Sequence, residues 1–242
     1  MLGIVSALSL EAKMLTAQPN AFQILPTHAT ATDNDETTNI LLAVSGIGAE
    51  AAEKSAMRLV DRGATALVSW GCAGGLVARM NSGDLLLPQA VISTHGEILH
   101  TDAIWRNHLM RMLPASLRPH EGILIESRCI VANPAEKRTL AKIAGAVAVD
   151  MESAAIGRVA RNEGIPFIVI RSVADTLNEG IPDAITSAAD AQGNIRIKQL
   201  LIPIIRQPRL WPQLIRQGLN FHAASRTLRM VAQQTDRLFH LA

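Results

Sequence analysis

Cysteine is scarce in this chain: Cys72 and Cys129 are the only two among 242 residues, and neither belongs to a CxxC pair. That argues against a disulfide scaffold or a structural zinc site and fits a reducing compartment. Long apolar runs are lacking too. No uncharged stretch reaches the roughly 20 residues needed to span a bilayer. Gly63–Ala78 comes nearest and is interrupted by Gly71, Gly74 and Gly75. The N-terminal segment MLGIVSALSLEAKML has no basic leading region and meets Glu11 early, so it reads as a buried first strand rather than a secretory signal. Walker-type GKS or GKT, GxGxxG, helical HExxH, internal repeats and low-complexity tracts are all missing. The expectation is a cytoplasmic protein with no metal, no organic cofactor and no nucleic-acid partner.

What is present suits one α/β domain with an appendage. Hydrophobic residues make up 48% of the chain, enough for a sizeable core. Strands are expected at Leu2–Ala7, Ile40–Val44, Ala66–Trp70, Asp84–Ile92 and Gly122–Ile125, the fourth at an edge or bulged because of Pro88. Helices are expected from Ser9, from Gly48 to about Asp61, over Ile104–Leu113 and from Pro134. Thr27–Thr38 reads as a polar loop. The alternation of strands and helices makes α/β the fold class.

Charge divides the chain in two. From Arg196 onward eight basic residues face one acid, giving +7, so the total of +2 leaves −5 for residues 1–195. We therefore divide the chain into a domain over 1–194 and a basic helical extension over 195–242. In its last segment Ala224, Leu228, Val231, Leu238 and Ala242 share a helical face, with Arg226, Arg229 and Arg237 largely off it. Such a helix either docks on the core or a second subunit, or lies peripherally on a membrane surface.

The chemistry concentrates in Ala146–Asp175, which reads as strand, helix, strand. Its two strands are expected to be parallel neighbours, bringing Glu152 and Asp175 to one sheet edge. Glu152 at a helix start is expected to be ionised and to accept from vicinal hydroxyls. Asp175, after the small residues Ser172–Ala174, is expected to be partly buried and so able to donate a proton near neutrality. One carboxylate kept charged and one able to donate is the division of labour in glycosidic cleavage. The plainer alternative is a helix cap and a turn residue. Glu11 either activates a nucleophile or simply occupies a first helical turn. Ser45-Gly46-Ile47-Gly48 and Gly71–Gly75 are strand-ending turns that suit close ligand approach. His95–Asp102 reads as a polar loop over the site entrance.

Several of these segments together resemble the purine nucleoside phosphorylase and methylthioadenosine/adenosylhomocysteine nucleosidase superfamily. They are Gly3–Glu11, Ser45–Gly48, Gly71–Gly75, Gly83-Asp84, Val149-Asp150-Met151-Glu152 and Arg171-Ser172-Val173-Ala174-Asp175, spanning roughly residues 1–180. The resemblance implies a three-layer α/β/α fold with a central mixed, partly barrel-like sheet, and a homo-oligomer, either dimer or trimer of dimers. It implies that Glu152 binds ribose hydroxyls, Met151 packs on the sugar and Asp175 protonates the base at N7. Ile130 and Val131 would line the base through aliphatic contact, beside Cys72, Ala73 and Gly74. Glu11 would activate water. Ser45, Gly46 and Arg171 would form a phosphate or nucleophile pocket, with inorganic phosphate as a co-substrate if the reaction is phosphorolytic. Arg106 and Arg128 are the other cations considered for phosphate, because Ser69-Trp70 and Cys72 stand where many phosphorylases carry an arginine and a serine. Ile130–Lys137, Ala148–Ser153 and the tail through Arg206-Gln207-Pro208 are similar to the hopanoid-associated phosphorylase branch. That branch implies a lipid-linked adenine nucleoside, adenosylhopane, as substrate.

Overall fold

The computed structural model describes residues 1–15, 23–25, 40–181 and 211–234. The expected loop at Thr27–Thr38, the proposed boundary at 194/195, Leu238 and Ala242 lie outside them. The strands are β1 (Leu2–Ser6), β2 (Gln23–Leu25), β3 (Ile40–Val44), β4 (Ala66–Gly75), β5 (Leu85–Leu86), β6 (Ala90–Ile92), β7 (Ile98–His100), β8 (Ile123–Glu126), β9 (Ala148–Asp150) and β10 (Phe167–Asp175). The helices are α1 (Ser9–Leu15), α2 (Ala49–Asp61), α3 (Ala103–Met112), α4 (Pro134–Ala144), α5 (Ser153–Asn162) and α6 (Trp211–Ala232).

The strands form one mixed sheet ordered β2-β3-β1-β4-β9-β8-β6-β7, with β10 pairing both β4 and β5. Both faces of β10 are covered, and its buried side chains alternate between them with the two-residue period of a strand. Phe167, Val169 and Val173 pack with Ala52, Ala56 and Leu59 of α2 and Ala155, Ile156 and Val159 of α5. Ile168 and Ile170 turn the other way, toward Met14 and Leu15 of α1, Trp105 and Leu109 of α3, and Leu228 and Val231 of α6. Two helical layers therefore enclose the sheet, the expected α/β/α architecture.

β4 organises the site. Its first half pairs with β1 through Ala66–Trp70, its last residues pair with β9 through Gly74 and Gly75, and its opposite edge pairs with β10 from Leu67 to Gly74. The expectation that the strands around α5 are parallel neighbours is thus wrong: β9 runs antiparallel to β4, β10 runs parallel to it, and β4 lies between them. Glu152 and Asp175 still converge, because β9 and β10 flank the same residue, Gly74. Gly71–Gly75, expected as a turn, continues β4 as strand.

Two further expectations change. Asp84–Ile92 splits around Pro88 into β5 and β6, which serve different neighbours. His95–Asp102 contains β7, an antiparallel partner of β6 at the far sheet edge, rather than a loop over the site. In the tail, α6 is one continuous helix carrying Pro212 in its first turn, where a missing N–H costs little. It buries Ala224, Leu228 and Val231 and leaves Arg226 and Arg229 exposed, and it docks on the core.

Candidate active site

A cavity of about 850 Å³ opens between the ends of β4, β9 and β10, the start of α1 and the first half of α6. Its size falls within the ~300–1,000 Å³ of small-molecule sites. Its wall gathers Glu11, Cys72, Ala73, Gly74, Ile130, Val131, Met151, Glu152, Arg171 and Asp175, most of the residues singled out from sequence. Ser45 and Gly46 are not among its lining residues. That turn contributes Ile47 to the wall and the Gly48 amide to Glu152 instead.

Glu11 is held from the first turn of α1. One carboxylate oxygen accepts from the Cys72 amide at 2.8 Å, and the other accepts from the Leu8 amide at 3.2 Å and the Ser6 hydroxyl at 3.3 Å. Burial pushes its pKa above the ordinary 4.5, against the pull of Arg171 and these donors. A carboxylate so placed is a stronger base than one in water. Burial also raises the Cys72 thiol well above its usual value, which leaves it a packing group rather than a nucleophile.

Arg171, 1% exposed, is the electrostatic centre. One guanidinium nitrogen reaches Asp150 at 2.7 Å, the Ser69 hydroxyl at 2.9 Å and Glu152 at 3.6 Å. Ser153 donates to the same Asp150 carboxylate and braces it. Gly71 makes this arrangement possible. A Cβ there would lie 2.5 Å from Arg171 Nη1 and 2.6 Å from Glu11 Oε2. We expect Gly71→Ala to separate that pair, to lower stability by roughly 1–3 kcal/mol as overpacking does, and to remove most activity. Thermal unfolding alongside turnover checks this, and an active variant of unchanged Tm would contradict the packing.

Glu152 stands at the N-cap of α5 but does not cap it. Its side chain turns inward, accepting from the Gly48 amide at 2.9 Å and the Met151 amide at 3.3 Å. The helix start is expected to favour the ionised form, but burial opposes it here. Burial dominates, with Arg171 opposing, and lifts its pKa from 4.5 to about 7. The folded protein therefore holds this proton more tightly than the unfolded chain. The contribution of Glu152 to stability is greatest below pH 4.5 and is lost as pH rises toward about 7. Glu152→Gln should make the fall in stability between pH 5 and pH 8 shallower, as denaturant titrations at both values would show. An unchanged slope would contradict the assignment.

Asp175 ends β10 just after a register shift between Val173 and Asp175, an irregularity that re-aims side chains. Burial raises its carboxyl above the usual range, against the lowering effect of Lys137. Lys137 has no role assigned from the sequence pattern, yet it is fully buried and bonds directly to Asp175. A signal existed: Lys137 lies in the opening turns of α4, where the helix dipole disfavours a cation.

Of the three arginines considered for phosphate, only Arg171 reaches the cavity. Arg106 bonds Thr101 and approaches Glu121, while Arg128 is exposed and off the wall. Among the described residues the charged lining comprises Glu11, Asp150, Glu152 and Asp175 against the single cation Arg171. Apart from Gln217, most of the remaining wall is apolar, with Leu8, Leu10 and Ile47 from the loops and α1 and Trp211, Leu214 and Ile215 from α6.

Residues 1–204 match the phosphorylase superfamily. The 5'-methylthioadenosine/S-adenosylhomocysteine nucleosidase of Shewanella oneidensis is 26% identical over 166 residues, covering 60% of this chain and 70% of its own. Among solved structures, the Helicobacter pylori nucleosidase of the same name, complexed with a substituted pyrrolidin-3-ol, aligns at a TM-score of 0.69 and 18% identity, covering 98% of this chain and 96% of its own. Futalosine hydrolase of H. pylori aligns at a TM-score of 0.70 and 18% identity, with the same coverage. These alignments support the fold read from the sequence.

Proposed function

This chain belongs to the phosphorylase superfamily, enzymes acting on nucleosides, and from that premise we propose that it cleaves the N-glycosidic bond of an adenine nucleoside with an apolar 5′ substituent, using water as nucleophile. The observation that carries this reading is the convergence of Glu11, Glu152 and Asp175 on one cavity in which, among the described residues, the single lining cation is Arg171.

The base lies against Gly74, Ile130 and Val131 with its N7 toward Asp175, and the ribose hydroxyls lie on Glu152 beside Met151. Asp175 gives its proton to N7 as the bond between C1′ and N9 breaks, and the bonding electron pair leaves with the base. Positive charge grows on the sugar, where Glu152 stabilises it. A water oxygen then bonds to C1′ and passes a proton to Glu11. Exchange with solvent returns Glu11 to the carboxylate and Asp175 to the acid. Phosphate fits this wall poorly, because the carboxylates repel it and Arg171 is already engaged by Asp150 and Ser69.

The apolar side between Leu8, Leu10 and α6 receives the 5′ substituent. The finer reading is the polycyclic hopane of adenosylhopane. Its support is the sequence resemblance together with a tail helix that forms part of the pocket wall. Trp211, Ile215 and Leu219 are exposed on that helix beside Arg216, which also supports peripheral membrane contact during delivery of such a substrate. Among the described residues no helix is long and apolar enough to cross a membrane. Adenine release compared between adenosine, methylthioadenosine and adenosylhopane tests this. The reading expects kcat/KM to rise as the apolar 5′ group grows, with Trp211→Ala erasing the advantage. A preference for methylthioadenosine over adenosylhopane would instead mark a small-thioether nucleosidase.

A further inference from the structure

A lysine side chain with no exposed surface needs a reason to be where it is, since burying an ammonium is costly unless it is paired and fully hydrogen-bonded. Lys137 meets both conditions. Its Nζ donates to Asp175 Oδ2, to the Thr176 carbonyl at 2.7 Å and to the Glu179 carbonyl at 3.0 Å. Those partners account for all three ammonium protons and spend them on the acid and the turn that follows it.

We propose that Lys137 is the positioning residue of the reaction: its ammonium fixes one oxygen of Asp175, leaves the other to face the cavity, and stabilises the carboxylate that remains once the proton has gone to the leaving base. The inference rests on the proposed glycosidic cleavage and deepens it.

Three structural facts carry it. Asp175 lines the cavity, whereas Lys137 approaches it from α4, behind the wall. Gly74 of β4 lies on the same wall, where a Cβ would stand 3.3 Å from Oδ2 and 3.6 Å from Oδ1, so its missing side chain keeps the acid open to the cavity. The turn itself is tied down independently. Glu179 accepts from the Thr176 amide at 3.1 Å and its hydroxyl at 3.0 Å, and from Asn220 of α6 at 2.9 Å. Lys137 is therefore not required merely to close the turn.

The consequence concerns acid strength. An acid that burial alone kept protonated would hold its proton too tightly to give it up. A cation on the opposite oxygen favours the ionised product and so eases the transfer. The other groups facing Asp175 are Glu179 from its own turn and Cys72 from β4, with Arg216 of α6 engaging Glu179 at 3.6 Å. Lys137 is the cation bonded to it.

The test is the pH profile of adenine release by the whole chain with Lys137→Met and Lys137→Gln. The glutamine variant keeps two N–H donors on a shorter side chain and loses the charge, so it remains informative if the methionine variant does not fold. Both are expected to lower kcat at least tenfold with little change in KM, and to move the basic limb upward by roughly 1 pH unit, because an acid relieved of a neighbouring cation titrates higher. Lys137→Arg should recover part of the rate and return the limb toward its original position. A reduced rate with an unmoved limb, or a change confined to KM, would reduce Lys137 to a structural role and overturn the proposal. Absence of adenine release from the wild-type chain would count against the glycosidase reading itself, a separate failure.

Discussion

Asp175→Asn is expected to slow adenine release by roughly 10²–10⁴-fold, the usual contribution of a general acid, while nucleoside binding largely survives. Asparagine keeps the shape of the group and an acceptor for Lys137 Nζ but holds no acidic proton. The affected step is departure of the base. Among the described residues no other wall carboxylate replaces it, because each is committed elsewhere: Glu11 by Cys72, Leu8 and Ser6, Asp150 by Arg171 and Ser153, and Glu152 by Gly48 and Met151. Turnover against adenosine analogues, paired with calorimetric binding, separates the two effects. Wild-type turnover in this variant would remove Asp175 from the chemistry, and loss of binding with turnover retained at saturation would make it a recognition group.

The second large effect is expected at Glu11. Glu11→Gln preserves an acceptor for the Cys72 amide and removes the base, so turnover should fall by roughly 10²–10⁴-fold. Added phosphate should not restore it. A phosphate nucleophile needs no base, so a phosphorolytic enzyme would keep turning over in phosphate after this substitution. Recovery of rate in phosphate would therefore assign phosphorolysis and leave Glu11 a folding role. The raised pKa of Glu11 gives the prediction a pH signature. The wild-type rate should rise with pH through an acid limb set by carboxylates that burial holds above 4.5, Glu11 and Glu152 among them.

Much of this site was legible in the sequence because its residues sit where secondary structure begins and ends. Glu11 follows β1, Glu152 follows β9 and Asp175 closes β10, and each lies beside a strong apolar run that betrays a strand. Pairing order was not legible. The short β9 has three residues, and nothing in Ala148–Asp150 says that it will bond antiparallel to Gly74 and Gly75. Gly71–Gly75 was misread for a related reason. Glycine runs usually signal turns, but here the missing side chains let β4 pass between Glu11 and Arg171 and then between Val149 and Asp175. β7 escaped notice because only Leu99 of its three residues faces inward, so its polar neighbours dominate the pattern. Lys137 escaped notice because its role depends on a residue 38 positions away that only the tertiary fold brings near. Arg171 was recognised as a site cation, yet its partner Asp150 was read only as part of a motif. The ion pair at 2.7 Å changes Arg171 from a candidate phosphate ligand into the counterion of a carboxylate cluster.

The tail offers a different lesson. Its amphipathic face was readable, and Ala224, Leu228 and Val231 are buried as that face requires. Its first half could not be read, since Leu214, Gln217, Gly218 and Phe221 face a cavity rather than a core. A helix that serves the core at one end and a ligand pocket at the other shows no single clean period.

The measurement that tests the account most directly is product analysis of adenine release from a 5′-substituted adenosine by the wild-type chain, run in phosphate-free buffer and again with phosphate added. The account predicts adenine and the free sugar at the same rate in both, with the sugar's new anomeric oxygen drawn from labelled water. Release that requires phosphate and yields a sugar 1-phosphate would contradict it.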